Sequence, residues 1–339
     1  MKRRDWLFAA AACALGSTSF KLLAQQYVPF TPYAARAEVL EWAQGFVNTY
    51  GGSVEEVMTV LSQAQSNETV IRLMQPAPQG FKRSWQLYRK RFVEPVRIKA
   101  GLRFWEAYSE ALQRAEAKTG VSVQAIIGIL GVETIFGRQM GDFRVLDALM
   151  TLSFDYLRRA DFFRSELEHF LLLSRENGWI PTQMLGSFAG AMGIPQFMPS
   201  SIRKHALDFD EDKIIDLRNS PVDAIGSVAQ YLADYGWEKG QPISLPATVA
   251  EETAVRELLE RGPQANLTLD ELRARGALVK DSVAENTKLM LVDLVTHNRA
   301  TEFRVGTANF YAITRYNKSF FYAAAVQDLG AAIASAKGS

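Results

Sequence analysis

A chain of 339 residues that is 48% hydrophobic and 11% aromatic is long enough for two or three lobes around a substantial core, which excludes a disordered or fibrous protein. Its net charge is +1; the first 24 residues hold four basic side chains and one acidic, so the remainder, at −2, gives no electrostatic case for nucleic acid. Cys13 is the single cysteine, so beyond it the chain has neither a disulfide nor a thiol nucleophile.

The start, Met1-Lys-Arg-Arg4 followed by an apolar, Ala-rich run from Trp6 to about Gly16, reads as an export signal over residues 1–24, cut after Ala24. The run falls short of the ~20 apolar residues a membrane span needs. Arg3-Arg4 also loosely resembles a twin-arginine signal, and both export routes stay open. A lipid anchor at Cys13 is not expected, because Ala10-Ala-Ala12 lacks the large aliphatic residue usual three positions earlier.

Residues 25–33 read as a lead-in and 34–64 as helical, with Ser53 capping the second part. Pro76, Pro78 and Gly80 make a break. From Ser84 to Phe92 a helix places Trp85, Tyr88 and Phe92 on one side; for such a stripe, core packing is the ordinary explanation. A helix over about Gly101–Lys118 leads to the stretch Gln124–Gly137, whose Ile126, Ile127, Ile129, Leu130, Val132, Ile135 and Phe136 leave almost no polar side. Ser122 is placed to cap it.

Glu133 is the one carboxylate in this greasy helix. Burial disfavours its charged form, so it would hold a proton near neutrality, as a general acid must. An ion pair with Arg138 or Arg144, or escape to solvent at the helix end, is the alternative.

Residues 144–176 are again helical. The stretch Gly186–Ser201 is rich in glycine and small residues that allow close backbone approach, and Ser200 or Ser201 is expected to cap the next helix. Pro221–Trp237 reads as a helix. Beyond Gly240 come extended runs around Leu245 and Thr248, a capping box at Thr268-Leu-Asp-Glu271 and a strand over Lys288–Val295. A helix over Ser319–Ala334 closes the chain. The expected division is 25–100 as a helical N-terminal lobe, 101–237 as a helical core, 238–307 as a small mixed α/β lobe and 308–339 as a segment returning to the core, so the fold class is mainly α.

Three histidines without metal-ligand spacing give no support to a zinc or Ser-His-Asp enzyme, and the Gly186–Gly193 run lacks the Lys-Ser/Thr ending of a phosphate loop. Asp208, Asp210, Asp212 and Asp216 stand at positions 1, 3, 5 and 9 of an EF-hand-like loop. Lys213 occupies the glycine position and Asn219 the place of the terminal Glu, while Asp223 is a candidate for the missing carboxylate. A solvated acidic loop is the other reading.

Six blocks in order carry a resemblance: Gly131-Val-Glu-Thr-Ile-Phe-Gly137, Leu146-Asp-Ala-Leu-Met-Thr-Leu-Ser-Phe154, Gly186-Ser-Phe-Ala-Gly-Ala-Met-Gly193, Gln196-Phe-Met-Pro-Ser-Ser201, Asp223-Ala-Ile-Gly-Ser-Val-Ala-Gln-Tyr231 and Asn309-Phe-Tyr-Ala-Ile-Thr-Arg-Tyr-Asn317. Together they resemble the lytic murein transglycosylases of the membrane-bound lytic transglycosylase B family, over about residues 30–335. The resemblance implies a lysozyme-like helical core acting in the periplasm on peptidoglycan glycan strands. The bond cleaved would be the β-1,4 link between N-acetylmuramic acid and N-acetylglucosamine, with a 1,6-anhydro ring formed on the muramic residue.

By the same resemblance Glu133 is the single catalytic acid and base. Ser187 and Gln196 are polar residues of the sugar cleft, and Tyr316, Asn317 and Tyr322 form its other wall. Tyr88, Phe162 and Tyr231 are rings lining the groove, Phe162 standing where some members have tyrosine. Arg159 meets the carboxylates of the peptide stem, and the loop at 208–216 coincides with a calcium loop from which Lys213 departs. No cofactor is required, with calcium a doubtful exception; a monomer is expected, with cell-wall synthesis or division proteins as candidate partners. Two rivals stand beside this reading. A hydrolytic muramidase would need a positioned water and a second carboxylate, for which Asp142, Asp147 and Asp155 are candidates. A catalytically silent peptidoglycan-binding protein would have no use for a buried acid.

Overall fold

The computed structural model describes residues 32–338 other than 79, 81, 281, 282 and 285, so the expected signal peptide and Cys13 lie outside the described residues. Grouped by contacts, the chain falls into two units. One comprises the described part of Met1–Phe81 with Gly141–Met192 and Met198–Ser200; the other comprises Lys82–Met140, Gly193–Phe197 and the described part of Ser201–Ser339. The mainly α expectation holds.

In the first unit, helices Ala37–Tyr50 and Val54–Leu61 are separated by Gly51-Gly52, and Ser53 caps the second as expected. A further short helix, Glu68–Leu73, begins at Asn67, whose side chain accepts from the N–H groups of Thr69 and Val70. The expected helix over 144–176 is two, Val145–Phe154 and Ala160–Asn177. Every residue of Val145–Phe154 except Asp147 is buried, and its polar groups moor the N-terminal helices. Asp155, at its end, accepts from the Tyr33 hydroxyl at 2.6 Å, the Ser66 hydroxyl at 2.5 Å and the Arg36 guanidinium at 2.5 Å. Three donors on one carboxylate satisfy a charge that would otherwise be costly to bury. Asp147 accepts from the backbone N–H of Gln65 at 2.9 Å and lies 3.5 Å from Arg144, and Thr151 accepts from that of Asn67 at 3.0 Å.

The expected cap at Ser200 or Ser201 is displaced. The helix starts earlier, as Pro199–His205, because Glu166 does the capping from the long helix: its carboxylate accepts from the Ser200 N–H at 2.9 Å and the Ser200 hydroxyl at 2.7 Å.

The second unit is built on the helix Val123–Thr134, whose side chains are all buried except Gln124 and the half-buried Glu133, with Ser122 capping it. It packs along the last long helix, Phe320–Lys337. Two glycines set the closeness of that crossing: a Cβ on Gly128 would come within 2.3 Å of the Val326 carbonyl oxygen, and one on Gly330 within 2.2 Å of that of Gln124. The two backbones therefore touch, which only glycine permits. The single helix expected over Gly101–Lys118 is broken at Tyr108 into Pro95–Ala107 and Ser109–Thr119. Pro95 starts the first of these, with the Glu94 carboxylate accepting from the N–H groups of Val96 and Arg97.

A four-stranded antiparallel sheet runs Ala277–Val279, Ser244–Val249, Glu302–Gly306, Met290–Leu294 in spatial order. It encloses its own core of Val255, Leu258, Leu267, Leu272, Leu291 and Val305. The strand expected over Lys288–Val295 and the capping box at Thr268 are both present; the strands at 277–279 and 302–306 gave no sequence signal. Helix Trp85–Phe92 is tied to this sheet region, the Trp85 N–H donating to the Val295 carbonyl at 2.8 Å and its indole N–H to Glu302 at 3.0 Å. Helices Pro221–Asp234 and Ala308–Tyr316 complete the unit.

Candidate active site

Glu133 sits on the last turn of its helix, where the chain makes a forced exit. Ile135 and Phe136 both take positive φ, 52° and 57°, a conformation costly for a β-branched and a bulky residue. The exit is held by several bonds. The Phe136 N–H donates to the Leu130 carbonyl at 3.1 Å, and the Thr134 hydroxyl donates to the Ile194 carbonyl at 2.8 Å and accepts from Gly137 N–H at 2.9 Å. Behind the helix, the buried Arg97 donates through Nε to the Gly131 carbonyl at 3.2 Å. The carboxylate is thus carried by a backbone with little freedom.

Neither ion pair of the alternative reading forms: Arg144 is 3.5 Å from Asp147, and Glu133 has no cationic partner among the described residues. Its Oε1 accepts a hydrogen bond of 2.5 Å from the Tyr322 hydroxyl, and its Oε2 has no hydrogen-bond partner among the described residues. Desolvation pushes the carboxyl up from 4.5 to about 7, against the Tyr322 bond, which favours the anion. The side chain still keeps some accessible surface. It is therefore an acid that is surrounded by protein and yet reachable.

Around it the structure gathers the expected tyrosines. Tyr316 stacks beside Tyr322 with ring centroids 6.4 Å apart and planes at 17°, and its hydroxyl donates to the Pro195 carbonyl at 2.6 Å. Tyr231 lies 4.7 Å from Tyr316, and Phe197 touches both rings, at 5.4 and 5.6 Å. Tyr88 packs on Phe321 at 5.5 Å and Phe92 at 4.9 Å. Burial and the Glu133 charge raise the hydroxyl pKa of Tyr88, Tyr316 and Tyr322, and burial with the Tyr235 hydroxyl raises that of Tyr231, so all four remain donors through the neutral range. Gln196, at φ 52°, donates from Nε2 to the carbonyls of Met140 at 3.0 Å and Gly193 at 2.9 Å, which fixes the turn leading to Pro195 and Phe197. Asn317 ends the helix Ala308–Tyr316 half-buried, its side chain without a hydrogen bond among the described residues.

The other expected site residues belong to the first unit. Ser187 Oγ accepts from the N–H groups of Ala189 at 3.3 Å and Ala191 at 3.0 Å, which shapes the glycine-rich turn. Arg159, exposed at φ 66°, lays its guanidinium 4.3 Å over the ring of Phe162, itself 38% exposed. Asp147 and Asp155 are engaged in the structural bonds described above, and Asp142 is exposed. Sequence reasoning missed Phe197, the Pro195 carbonyl and Arg97. Phe197 was visible inside the Gln196–Ser201 block, but a carbonyl acceptor and a buried arginine beneath a helix end have no one-dimensional signal.

The acidic loop is organised differently from the expectation. Ligand oxygens of Asp208, Asp210 and Asp212 lie within 4.8 Å of one another. Asp223 does not join them: fully buried, it accepts from the N–H groups of Phe209 at 2.7 Å, Asp210 at 3.3 Å and Asp216 at 2.8 Å, and so holds the loop from beneath. Asp216 caps the following turn, accepting from the N–H groups of Arg218 and Asn219. Lys213 adopts φ 75°, so the turn that favours glycine is present without one.

A protonated carboxyl suits cleavage of an acetal C–O bond, and phenolic faces and hydroxyls suit sugar rings. Among the described residues no second carboxylate acts on Glu133. The class this points to is a carbohydrate-cleaving enzyme. Comparison with known proteins gives the family. The family model described as the transglycosylase SLT domain matches residues 35–331. The chain is 40% identical over 313 residues to the membrane-bound lytic murein transglycosylase B of Escherichia coli K12, covering 90% of this chain and 85% of that protein. Among solved structures, the catenated lytic transglycosylase SltB1 from Pseudomonas aeruginosa matches with a TM-score of 0.84 and 42% identity over 90% of this chain and all of that one. The Escherichia coli lytic transglycosylase Slt35, solved in complex with calcium, matches with a TM-score of 0.80 and 40% identity over 91% of this chain and 94% of that one. The chain belongs to the lytic transglycosylase family of these proteins, with its lysozyme-like helical fold, and is an enzyme that cleaves peptidoglycan.

Proposed function

We propose that Glu133 is the single general acid and base of a reaction that cleaves the β-1,4 bond between N-acetylmuramic acid and N-acetylglucosamine. The protonated carboxyl donates its proton to the glycosidic oxygen as the C1–O bond breaks. The resulting carboxylate takes the proton of the muramic C6 hydroxyl as that oxygen bonds to C1, so Glu133 ends protonated and the product carries a 1,6-anhydro ring. No water is consumed. The substrate's acetamido group stabilises the cationic centre between the two steps. Tyr322 donates to Oε1 throughout, and its bond counts most when the carboxylate is charged. The observation that carries this reading is a lone carboxyl held near neutrality with one oxygen fixed by Tyr322 and the other free.

In this reading Tyr88, Tyr231, Tyr316, Asn317 and Gln196 contact sugar beside the acid, while Ser187 and Phe162 are assigned as sugar contacts and Arg159 as a contact of the peptide stem. The lobes 25–100, 101–237, 238–307 and 308–339 are our functional division of a monomeric, exported, periplasmic protein. The loop residues Asp208, Asp210, Asp212 and Asp216 would bind calcium weakly in a structural capacity, with Asp223 supporting the loop rather than ligating; the gathered carboxylates and the turn at Lys213 favour such a site. The test of the reaction is mass spectrometry of soluble products after incubation with purified sacculi. Muropeptides one water lighter than hydrolytic products, made by the parent and not by Glu133→Gln, are expected. Fully hydrated reducing ends would replace the transglycosylase mechanism with a muramidase's.

A further inference from the structure

A groove of about 720 Å³ lies within the second unit, beside the ends of helices Pro221–Asp234 and Ala308–Tyr316, and Glu133 is not among its lining residues. Its lining includes Lys288, Arg315 and Lys318 against one acid, Glu238. None of the three cations forms an ion pair among the described residues. Arg315 is the most telling of them: its guanidinium stacks 4.4 Å over the ring of Tyr311, another lining residue, while its Nε is buried without a hydrogen-bond partner. A buried donor left unpaired is costly, and a planar anion is the partner a guanidinium accepts best.

The groove also backs onto the wall of the acid site. Tyr235, which lines it, lies 4.7 Å from Tyr231, Tyr231 lies 4.7 Å from Tyr316, and Tyr316 lies 6.4 Å from Tyr322, the partner of Glu133. A ligand here is thus a few ring widths from the reacting bond. An extended peptide of four residues reaches about 13 Å, a length comparable with this row of rings.

We propose that this groove is a subsite for the carboxylates of the peptide stem on the glycan strand, read by Arg315, Lys288 and Lys318. The inference rests on the peptidoglycan-cleaving reading above and adds a second place where the substrate's charge is recognised. Neutral sugar offers these cations only uncharged acceptors, whereas stem carboxylates supply anions on the substrate itself.

Equilibrium binding to the full chain tests it, with three probes: a disaccharide–tetrapeptide bearing free carboxylates, its carboxamide counterpart and the disaccharide alone. The parent is expected to bind the carboxylate form about tenfold more tightly than the other two, and Lys288→Glu/Lys318→Glu to abolish that preference. Both lysines are exposed, so the fold does not depend on them. Arg315→Gln should act the same way, and Arg159→Ala serves as the rival location. Equal binding of all three probes by the parent would overturn the proposal, as would a preference that survives lysine reversal but is lost in Arg159→Ala. Product analysis on peptide-free glycan strands reports separately on the reaction: absence of anhydro products there would sink the mechanism without touching the binding result.

Discussion

The second unit holds two groups of carboxylates that obey opposite rules. Glu133 stands alone among apolar side chains, has a single hydrogen-bond donor and is pushed toward neutrality. Asp208, Asp210 and Asp212 lie close together, but two of them are exposed and their oxygens are occupied by the loop itself: Asp208 accepts from the N–H groups of Asp212 and Lys213, and Asp210 from the Ser220 hydroxyl. Backbone N–H groups and a hydroxyl satisfy oxygens of that cluster, whereas burial pushes the Glu133 carboxyl toward its protonated form. The same functional group is buried toward neutrality in one place and gathered with its like at a partly exposed loop in the other, and the environment makes the difference.

The largest expected effect removes the proton from that comparison. Glu133→Gln keeps size and the acceptor for Tyr322, so binding of glycan fragments should change little while turnover of sacculi falls by about 10³-fold or more. Retention of near-parental turnover, measured as release of soluble muropeptides, would show that another residue supplies the acid. Tyr322→Phe should cost less, about 10- to 100-fold in kcat. That bond favours the carboxylate, so its loss should move the alkaline limb of the kcat/KM profile to higher pH; a shift to lower pH would mean that Tyr322 does not act on Glu133 as the geometry indicates.

The raised pKa also has a stability consequence. Between the ordinary value of 4.5 and about 7 the folded protein retains a proton that the unfolded chain releases, so Glu133 is increasingly destabilising as the pH rises through that window and constant in its cost above it. Glu133→Gln should therefore be more stable than the parent at pH 8, by on the order of 2 kcal/mol, and the gain should vanish below about pH 4.5. The kcat/KM of the parent should fall on the alkaline side with an apparent pKa near 7, because the reaction starts from the protonated acid. Urea unfolding at the two pH values and a pH–rate profile measure both. A stability gain independent of pH would detach it from ionisation.

What was legible in the sequence follows the same division between local and long-range causes. The acid helix declared itself because an all-apolar periodicity with one carboxylate is a local pattern, and the caps at Ser53, Ser122 and Thr268 were equally local. The tyrosines that come together in the second unit were reached through ordered motif blocks, since nothing in their spacing places Tyr88 beside the ring of Phe321. Breaks were the weak point. Tyr108 interrupts a helix without glycine or proline, and Glu166 displaces the cap expected at Ser200 by reaching across from another helix. The buried Arg97 beneath Gly131 and the paired glycines at Gly128 and Gly330 depend on a partner segment far along the chain, so their roles emerge only when the helices are packed.

Calcium should give the smallest effect, and the reason lies in the loop's own bonds. Binding must exchange hydrogen bonds that Asp208 and Asp210 already make, and it gains nothing from Asp223, whose oxygens serve three backbone N–H groups. A site of about millimolar affinity stabilises the fold by only ~0.4 kcal/mol at half-saturation, which is a rise of roughly 1–2 °C in Tm for a unit of this size. Asp208→Asn/Asp210→Asn should remove that rise, and magnesium, which demands a tighter octahedral shell, should not reproduce it. Thermal unfolding at graded calcium decides the point. A rise of about 10 °C or more would mean that the loop rearranges to release Asp223 or recruit further oxygens, and the contrast between a committed acid and an uncommitted cluster would then have to be redrawn.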